Sequence, residues 1–442
     1  MAEGSTLADT IAALRDGAVS ALDVTEFCLA RIAEVDGDVQ AWAFLDPEYA
    51  RSQARALDEA RASGRPLGPL HGIPVGVKDI FDTTDMPTED GTVLHAGRQP
   101  ARDCTAVALL REAGAVIMGK TVTTELALFT PGKTRNPRDP NRTPGGSSSG
   151  SAAAVASGMV PLAIGTQTNG SVIRPASFCG VVGYKPTHGL ISRHGVLSLS
   201  RTLDHVGVFA GSVADAASIA EILMSYDSKD ADMSPRARPP LSSTTAEEPP
   251  LPPRLAFVKT PAWDRAEQDT QDAFAELMEA LGEYAGEMEL PAVFETVWGL
   301  HGTIQDAEVA VNFAPEYEQG RDKLSARLCQ IIEHGQDVRA ADYIRARARI
   351  PLLNFDLSEY FDHFDAILTP AAPGEAPLGI EATGNPVFCT PWTLLGTPAI
   401  TLPLLNGSNG MPIGVQLVGS RGNDARLLRT ARWLSEFVAD LT

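Results

Sequence analysis

Cysteine is scarce in this chain and never paired. Its five residues, Cys28, Cys104, Cys179, Cys329 and Cys389, are odd in number, irregularly spaced and contain no Cys-x-x-Cys. That pattern excludes a disulfide framework and a zinc knuckle, and reads as buried, reduced thiols of a cytoplasmic protein. Long hydrophobic runs are also missing. No stretch reaches the roughly 18 apolar residues that a membrane span needs. The segment MAEGSTLADT has no basic region leading into an apolar one, so no signal peptide is expected. Positive charge is the third shortage: Lys and Arg total 36 against 56 Asp and Glu, a net charge of −20. Such a surface repels phosphate backbones and anionic lipid, which argues against nucleic-acid and membrane partners and for solubility. HExxH, a Cys/His cluster and a dinucleotide fingerprint are all absent, so no metal and no organic cofactor are expected.

What remains is a globular enzyme-sized chain. Its 442 residues are 44% hydrophobic, enough for a large core. Residues 1–70 read as helices: Leu7, Ile11 and Leu14 recur at helical spacing up to Gly17, and Ser20 with Asp23 offers a capping box for the next helix. GIPVGVKDI alternates Ile73, Val75 and Val77 with Pro74, Gly76 and Lys78, a strand signal, and a helical CTAVALLREAGA then leads into AVIMGKT. This alternation predicts an α/β layered sheet over 72–210. Residues 227–253 hold seven prolines and read as a surface excursion that forms neither helix nor central strand. RLAFVKT resumes the sheet, 264–360 reads as a mainly helical insertion, and 365–442 returns strands, with NGSNGMP as a hairpin-like connection. Strand material at both ends predicts one sheet interrupted by a helical insertion, a single unit over 1–442.

The run TPGGSSSGS at 143–151 poses the functional question. A flexible linker is the plain reading, but the apolar, helix-forming SAAAVASGMVPLAIG that follows makes the run the opening of a buried element. Gly146–Gly150 satisfies G-x-S-x-G, yet a nucleophile elbow needs a preceding strand and TRNPRDPNRTP is a proline-broken loop. No Lys-Ser/Thr closes the run as in a phosphate-binding loop.

Three segments taken together decide the matter: Lys78-Asp79, PGGSSSGSAAAVASG, and GTQTNGSVIRPASFCGVVGYKPT at 165–187. In this order they resemble the amidase signature family, serine hydrolases with a Ser–cis-Ser–Lys triad, and weaker similarity reaches PWTLLGTPAITLP and GVQLVG near the C-terminus. The resemblance implies an α/β fold with a large mixed sheet flanked by helices on both faces, and a helical insertion. It implies Ser171 as nucleophile, Ser147 as the cis-serine and Lys78 as base. The backbone amides of Thr168, Asn169, Gly170 and Ser171 fall at its oxyanion hole, and Gly145 and Gly146 would accommodate the cis peptide. The chain departs from the common pattern at Gln167 (usually Asp), Asn169 (usually Gly), Ser149 (usually Gly) and Arg174, which stands three residues after the nucleophile instead of two. Arg174, Cys179 and His188 read as structural, and Phe388 and Trp392 as either pocket lining or core.

The chemistry asks for these residue types. A serine hydroxyl needs a base, and lysine serves only when neutral, which burial away from carboxylates favours. The expected function is hydrolysis of carboxylic amides, with esters, anilides and carbamates as further substrates, acting on a small molecule and compatible with a homodimer. The alternative is a glutaminase-type amidotransferase subunit that supplies ammonia to a partner enzyme. A non-catalytic scaffold conflicts with an intact triad.

Overall fold

The computed structural model describes residues 6–441; the first five residues of the N-terminal helical stretch lie outside it. Eleven strands, β1 (Trp42–Leu45), β2 (Pro74–Lys78), β3 (Val116–Thr121), β4 (Leu162–Gln167), β5 (Val182–Lys185), β6 (His205–Ala210), β7 (Leu255–Val258), β8 (Ala285–Met288), β9 (Ala366–Pro370), β10 (Ala399–Asn406) and β11 (Pro412–Val418), form one sheet. Their order is β1-β3-β2-β4-β6-β5-β10-β11-β9-β7-β8. The sheet is mixed: β2 runs parallel to β3 and β4, β7 runs parallel to β8 and β9, and the pairs between these two groups are antiparallel.

Helices cover both faces. In chain order they are α1 (Leu7–Asp16), α2 (Ala21–Val39), α3 (Pro47–Ala62), α4 (Thr105–Glu112), α5 (Ser149–Ala156), α6 (Ile173–Cys179), α7 (Val213–Leu223) and α8 (Leu241–Ala246). Then follow α9 (Gln268–Leu281), α10 (Val297–Asn312), α11 (Ala314–Gly320), α12 (Ala326–Asp337), α13 (Ala340–Phe361), α14 (Thr390–Leu394) and α15 (Asp424–Ala439). The predicted start of α2 is present as a capping box between Ser20 and Asp23, and α1 ends where expected, on Gly17 at φ 74°. Every residue of α6 is buried, and so are all but the last of α5. The small side chains of α5 let it sit deep against β4, and α6 packs on β5, β10 and β11.

Two expectations need correction and a third, the mainly helical insertion, needs an addition. Residues 1–70 are not all helical, because Trp42–Leu45 pairs antiparallel with β3 as the edge strand β1. The insertion 264–360 carries strand β8, which pairs with β7 at the opposite edge. Both are four-residue edge strands, too short to show a period of two. The proline-rich 227–253 segment contains a helix, α8. Its prolines stand before Leu241 and after Ala246 and interrupt no helical hydrogen bond. Buried Leu241 and Thr245 seat α8 in the packing with α7 and α15. The alternation that signalled β2 does not mark an exposed face. All five of its residues are buried, because β2 lies between two parallel neighbours in a covered part of the sheet.

Candidate active site

The serine run is built into the sheet hydroxyl by hydroxyl. Ser147 Oγ accepts a hydrogen bond from Lys78 Nζ at 2.8 Å. Ser148 Oγ donates to the Thr166 carbonyl and accepts from its N–H, both at 3.2 Å. Ser149 donates to the Val122 carbonyl, and Ser151 bonds both Ile164 and Thr121. A Cβ on Gly150 would lie 2.3 Å from the Ala41 carbonyl oxygen, so only glycine lets α5 approach β3 this closely. The Gly146–Ser147 peptide is cis, Gly145 has φ 81°, and a Cβ on Gly146 would stand 2.8 Å from Thr383 Cγ2. The run is therefore fixed at its backbone and at four of its side chains.

Lys78 ends β2 fully buried, with hydrogen bonds to Ser147 and, at 2.8 Å, to Thr166 Oγ1. Burial pulls its ammonium down to about 7, opposed only by the negative charge of Asp204. Its neighbour Asp79 is committed elsewhere, to Lys120 Nζ at 3.1 Å, so among the described residues no carboxylate hydrogen-bonds Lys78. Asp204 is itself buried and shifted up to about 6, while accepting from Thr168 Oγ1 at 2.6 Å and from the Leu199 and Ser200 amides.

Ser171 follows β4 on the loop 168–172 and is partly exposed in a narrow cleft of about 290 Å³, mouth included. Among the described residues its hydroxyl makes no hydrogen bond, so the structure joins Lys78 to Ser147 but does not join Ser147 to Ser171. Hydroxyls that meet only when substrate is bound are common in unliganded sites. Among the described residues the N–H groups of Thr168, Asn169, Gly170 and Ser171 likewise have no acceptor, leaving four donors on the loop that carries that serine. Unpaired amides at the loop before a helix are what a developing oxyanion requires.

Two departures from the family pattern acquire a role in holding this loop. Gln167 Oε1 accepts the N–H groups of Val172 and Ile173, at 2.9 and 3.0 Å, and its Nε2 donates to Thr393 at 2.9 Å. Asn169 Oδ1 accepts from Thr390 at 2.7 Å, which ties the loop to α14. Arg174 Nη2 donates to the Gly146 carbonyl at 2.7 Å and to Thr383 at 3.1 Å, bracing the cis peptide. Phe388 and Trp392 are completely buried and belong to the core, not the cleft. His188 contacts Arg201 and Arg193 outside the cleft.

Sequence reasoning missed His301 and Gln305. Both project from α10, and His301 Nε2 meets the Thr168 carbonyl at 2.9 Å. Burial lowers this imidazole to about 4, so the ring is neutral and donates that bond. Gln305 lines the cleft opposite Ser171. Neither stands near a motif, and only the folding of α10 over the signature core brings them in.

The comparisons agree with this architecture. Residues 23–428 match the amidase family model, and the chain belongs to the amidase family, whose signature enzymes hydrolyse C–N bonds. The A subunit of glutamyl-tRNA(Gln) amidotransferase from Chloroflexus aurantiacus is 35% identical over 95% of this chain and 93% of its own length. That of Thermobifida fusca is 33% identical over 94% and 92%. Among solved structures, a protein of a vestigial complex tied to the origins of an s-triazine catabolic enzyme superposes with a TM-score of 0.91 at 29% identity, covering 98% of both chains. Native peptide amidase from Stenotrophomonas maltophilia gives 0.87 at 28% identity, covering 99% of this chain and 97% of its own.

Proposed function

We propose that this chain hydrolyses the C–N bond of a small carboxamide and releases ammonia, the half-reaction of an amidotransferase A subunit, through an acyl-enzyme on Ser171. The observation that carries the reading is the buried Lys78, without a carboxylate hydrogen-bond partner and bonded to Ser147, near a cleft with an unbonded serine hydroxyl. Neutral Lys78 accepts the proton of Ser147 as Ser147 accepts that of Ser171, and Ser171 Oγ bonds to the carbonyl carbon. The amides of 168–171 hold the oxyanion, worth roughly 3–4 kcal/mol per donor. The C–N bond then breaks, the nitrogen leaving with the proton returned through Ser147. Water cleaves the resulting ester to the acid.

The sequence reading put a free-standing amidase first and the ammonia-supplying subunit second. The curated relatives reverse that order, since those reported above are A subunits of an amidotransferase, and they favour a protein partner that uses the ammonia. The narrow cleft supports a small acyl group over bulky anilides. The free-standing reading keeps one support, the likeness to a peptide amidase, and carbamate cleavage stays within it.

Ammonia release from glutamine and from simple primary amides by the purified chain tests the proposal, together with labelling by a fluorophosphonate. Ser171→Ala should abolish both with the fold intact. Turnover that survives in Ser171→Ala, or a wild-type chain that is neither labelled nor active on any amide, rejects it.

A further inference from the structure

Ser171 shares its cleft with two side-chain amides, Asn169 on the loop after β4 and Gln305 on α10, and each keeps one arm unspent. Asn169 Oδ1 accepts from the Thr390 hydroxyl at 2.7 Å, which leaves Nδ2 as its free atom. Gln305 Nε2 donates to Asp306 Oδ1 at 3.4 Å, which leaves Oε1 free. Among the described residues neither free atom has a hydrogen-bond partner, and neither is closed off from solvent. Arg174 differs in this respect. It is the one charged residue lining the cleft among those described, but its unpartnered Nε and Nη1 are sealed in, and Nη2 is held by Gly146 and Thr383. Leu128, Phe129, Leu199 and Pro386 make much of the remaining wall apolar. The cleft therefore presents one neutral donor and one neutral acceptor, from two different elements, and no open charge. A polar arm in a part-buried wall costs free energy until a partner meets it. A free donor calls for a carbonyl and a free acceptor for an N–H, and an amide carries both.

Resting on the reading of Ser171 as nucleophile, we propose that the substrate carries a second, neutral amide, whose C=O accepts from Asn169 Nδ2 and whose N–H donates to Gln305 Oε1. Because the scissile nitrogen leaves as ammonia, the second amide belongs to the acyl part. The ligand class is a short, uncharged diamide. Asn169, one of the departures from the family pattern, and Gln305 are then specificity residues. The second amide is unchanged by the reaction: the acyl–oxygen bond to Ser171 forms, the terminal C–N bond breaks, ammonia leaves with the returned proton, and water releases the acid with its second amide intact.

The test compares kcat/KM for ammonia release from three amides of similar length. N-acetylglycinamide has both groups, levulinamide replaces the inner N–H by a methylene, and pentanamide lacks the inner carbonyl as well. Each step down the series should cost about tenfold, and the ratios should not move as salt is raised, since no ion is read. Gln305→Leu should collapse the ratio of N-acetylglycinamide to levulinamide. Asn169→Asp, which keeps the acceptor for Thr390, should collapse that of levulinamide to pentanamide. Each ratio is taken within one protein, so a general loss of activity does not imitate either result. Wild-type ratios near unity, or ratios that persist in the variants, overturn the amide seat and leave the hydrolase standing. Calorimetric binding of N-acetylglycinamide to Ser171→Ala that Gln305→Leu weakens, with no amide turned over by the wild type, supports the seat and removes the hydrolase. Neither binding nor turnover rejects both.

Discussion

The pH dependence of turnover follows directly from the position of Lys78. With the ammonium drawn to about 7 by burial, half of the molecules carry a neutral base at that pH. At pH 6 only about one in eleven does, so kcat/KM should drop roughly fivefold between pH 7 and 6 and level off above about pH 8. Asp204 is the one charge that opposes this shift; Asp79 faces Lys120 instead. Asp204→Asn removes that opposition while its amide oxygen still accepts from the Leu199 and Ser200 amides and its NH2 donates to the Thr168 hydroxyl in place of the carboxylate oxygen that now accepts from it. The acid limb should therefore move to lower pH in the variant. The measurement is kcat/KM for ammonia release from a primary amide between pH 5.5 and 9, in both proteins at constant ionic strength. A flat wild-type profile across that range would refute the neutral-lysine argument. So would an inflection above pH 9, which would mean that the amine is solvated. An acid limb displaced upward in Asp204→Asn would refute the electrostatic coupling.

The same burial has a cost in stability. The unfolded lysine titrates near its ordinary 10.5 and the folded one near 7, so wild-type stability rises as the pH is raised through that window and the cost is complete below it. Lys78→Met should abolish turnover yet gain roughly 3 kcal/mol at pH 7, with a flatter Tm between pH 7 and 10; a lower Tm than wild type would contradict this. His301→Ala frees the Thr168 carbonyl and should cut kcat by about tenfold or more with KM little changed, since the loop and not the acyl seat is loosened. Equal kcat would deprive His301 of that role. Gly150→Ala forces a methyl to 2.3 Å from the Ala41 oxygen and 2.4 Å from the Val122 nitrogen. Backbone atoms cannot swing aside, so denaturant unfolding should show a loss of about 3 kcal/mol or more, and an unchanged midpoint would show that α5 sits looser than described.

Local chemistry made much of this protein legible from its residues in order. The Ser20–Asp23 capping box, the β2 and β3 patterns, the β10–β11 connection and the serine-glycine motifs depend on neighbours a few positions apart, and each signals through steric or hydrogen-bonding preference of that short segment. The edge strands β1 and β8 escaped because four residues carry too little periodicity, and α8 escaped because its flanking prolines dominated the composition around it. Tertiary structure alone decided the rest. It buried Lys78 with no carboxylate in hydrogen-bond reach among the described residues, which sets its basicity, because desolvation depends on everything packed around the amine. It carried His301 across more than a hundred residues to the Thr168 carbonyl, and Gln305 to the cleft that holds Ser171. And it left Arg174 with two donors and no acceptor, a condition that no spacing in the chain expresses, since an unmet hydrogen bond exists only once every possible partner has taken its place.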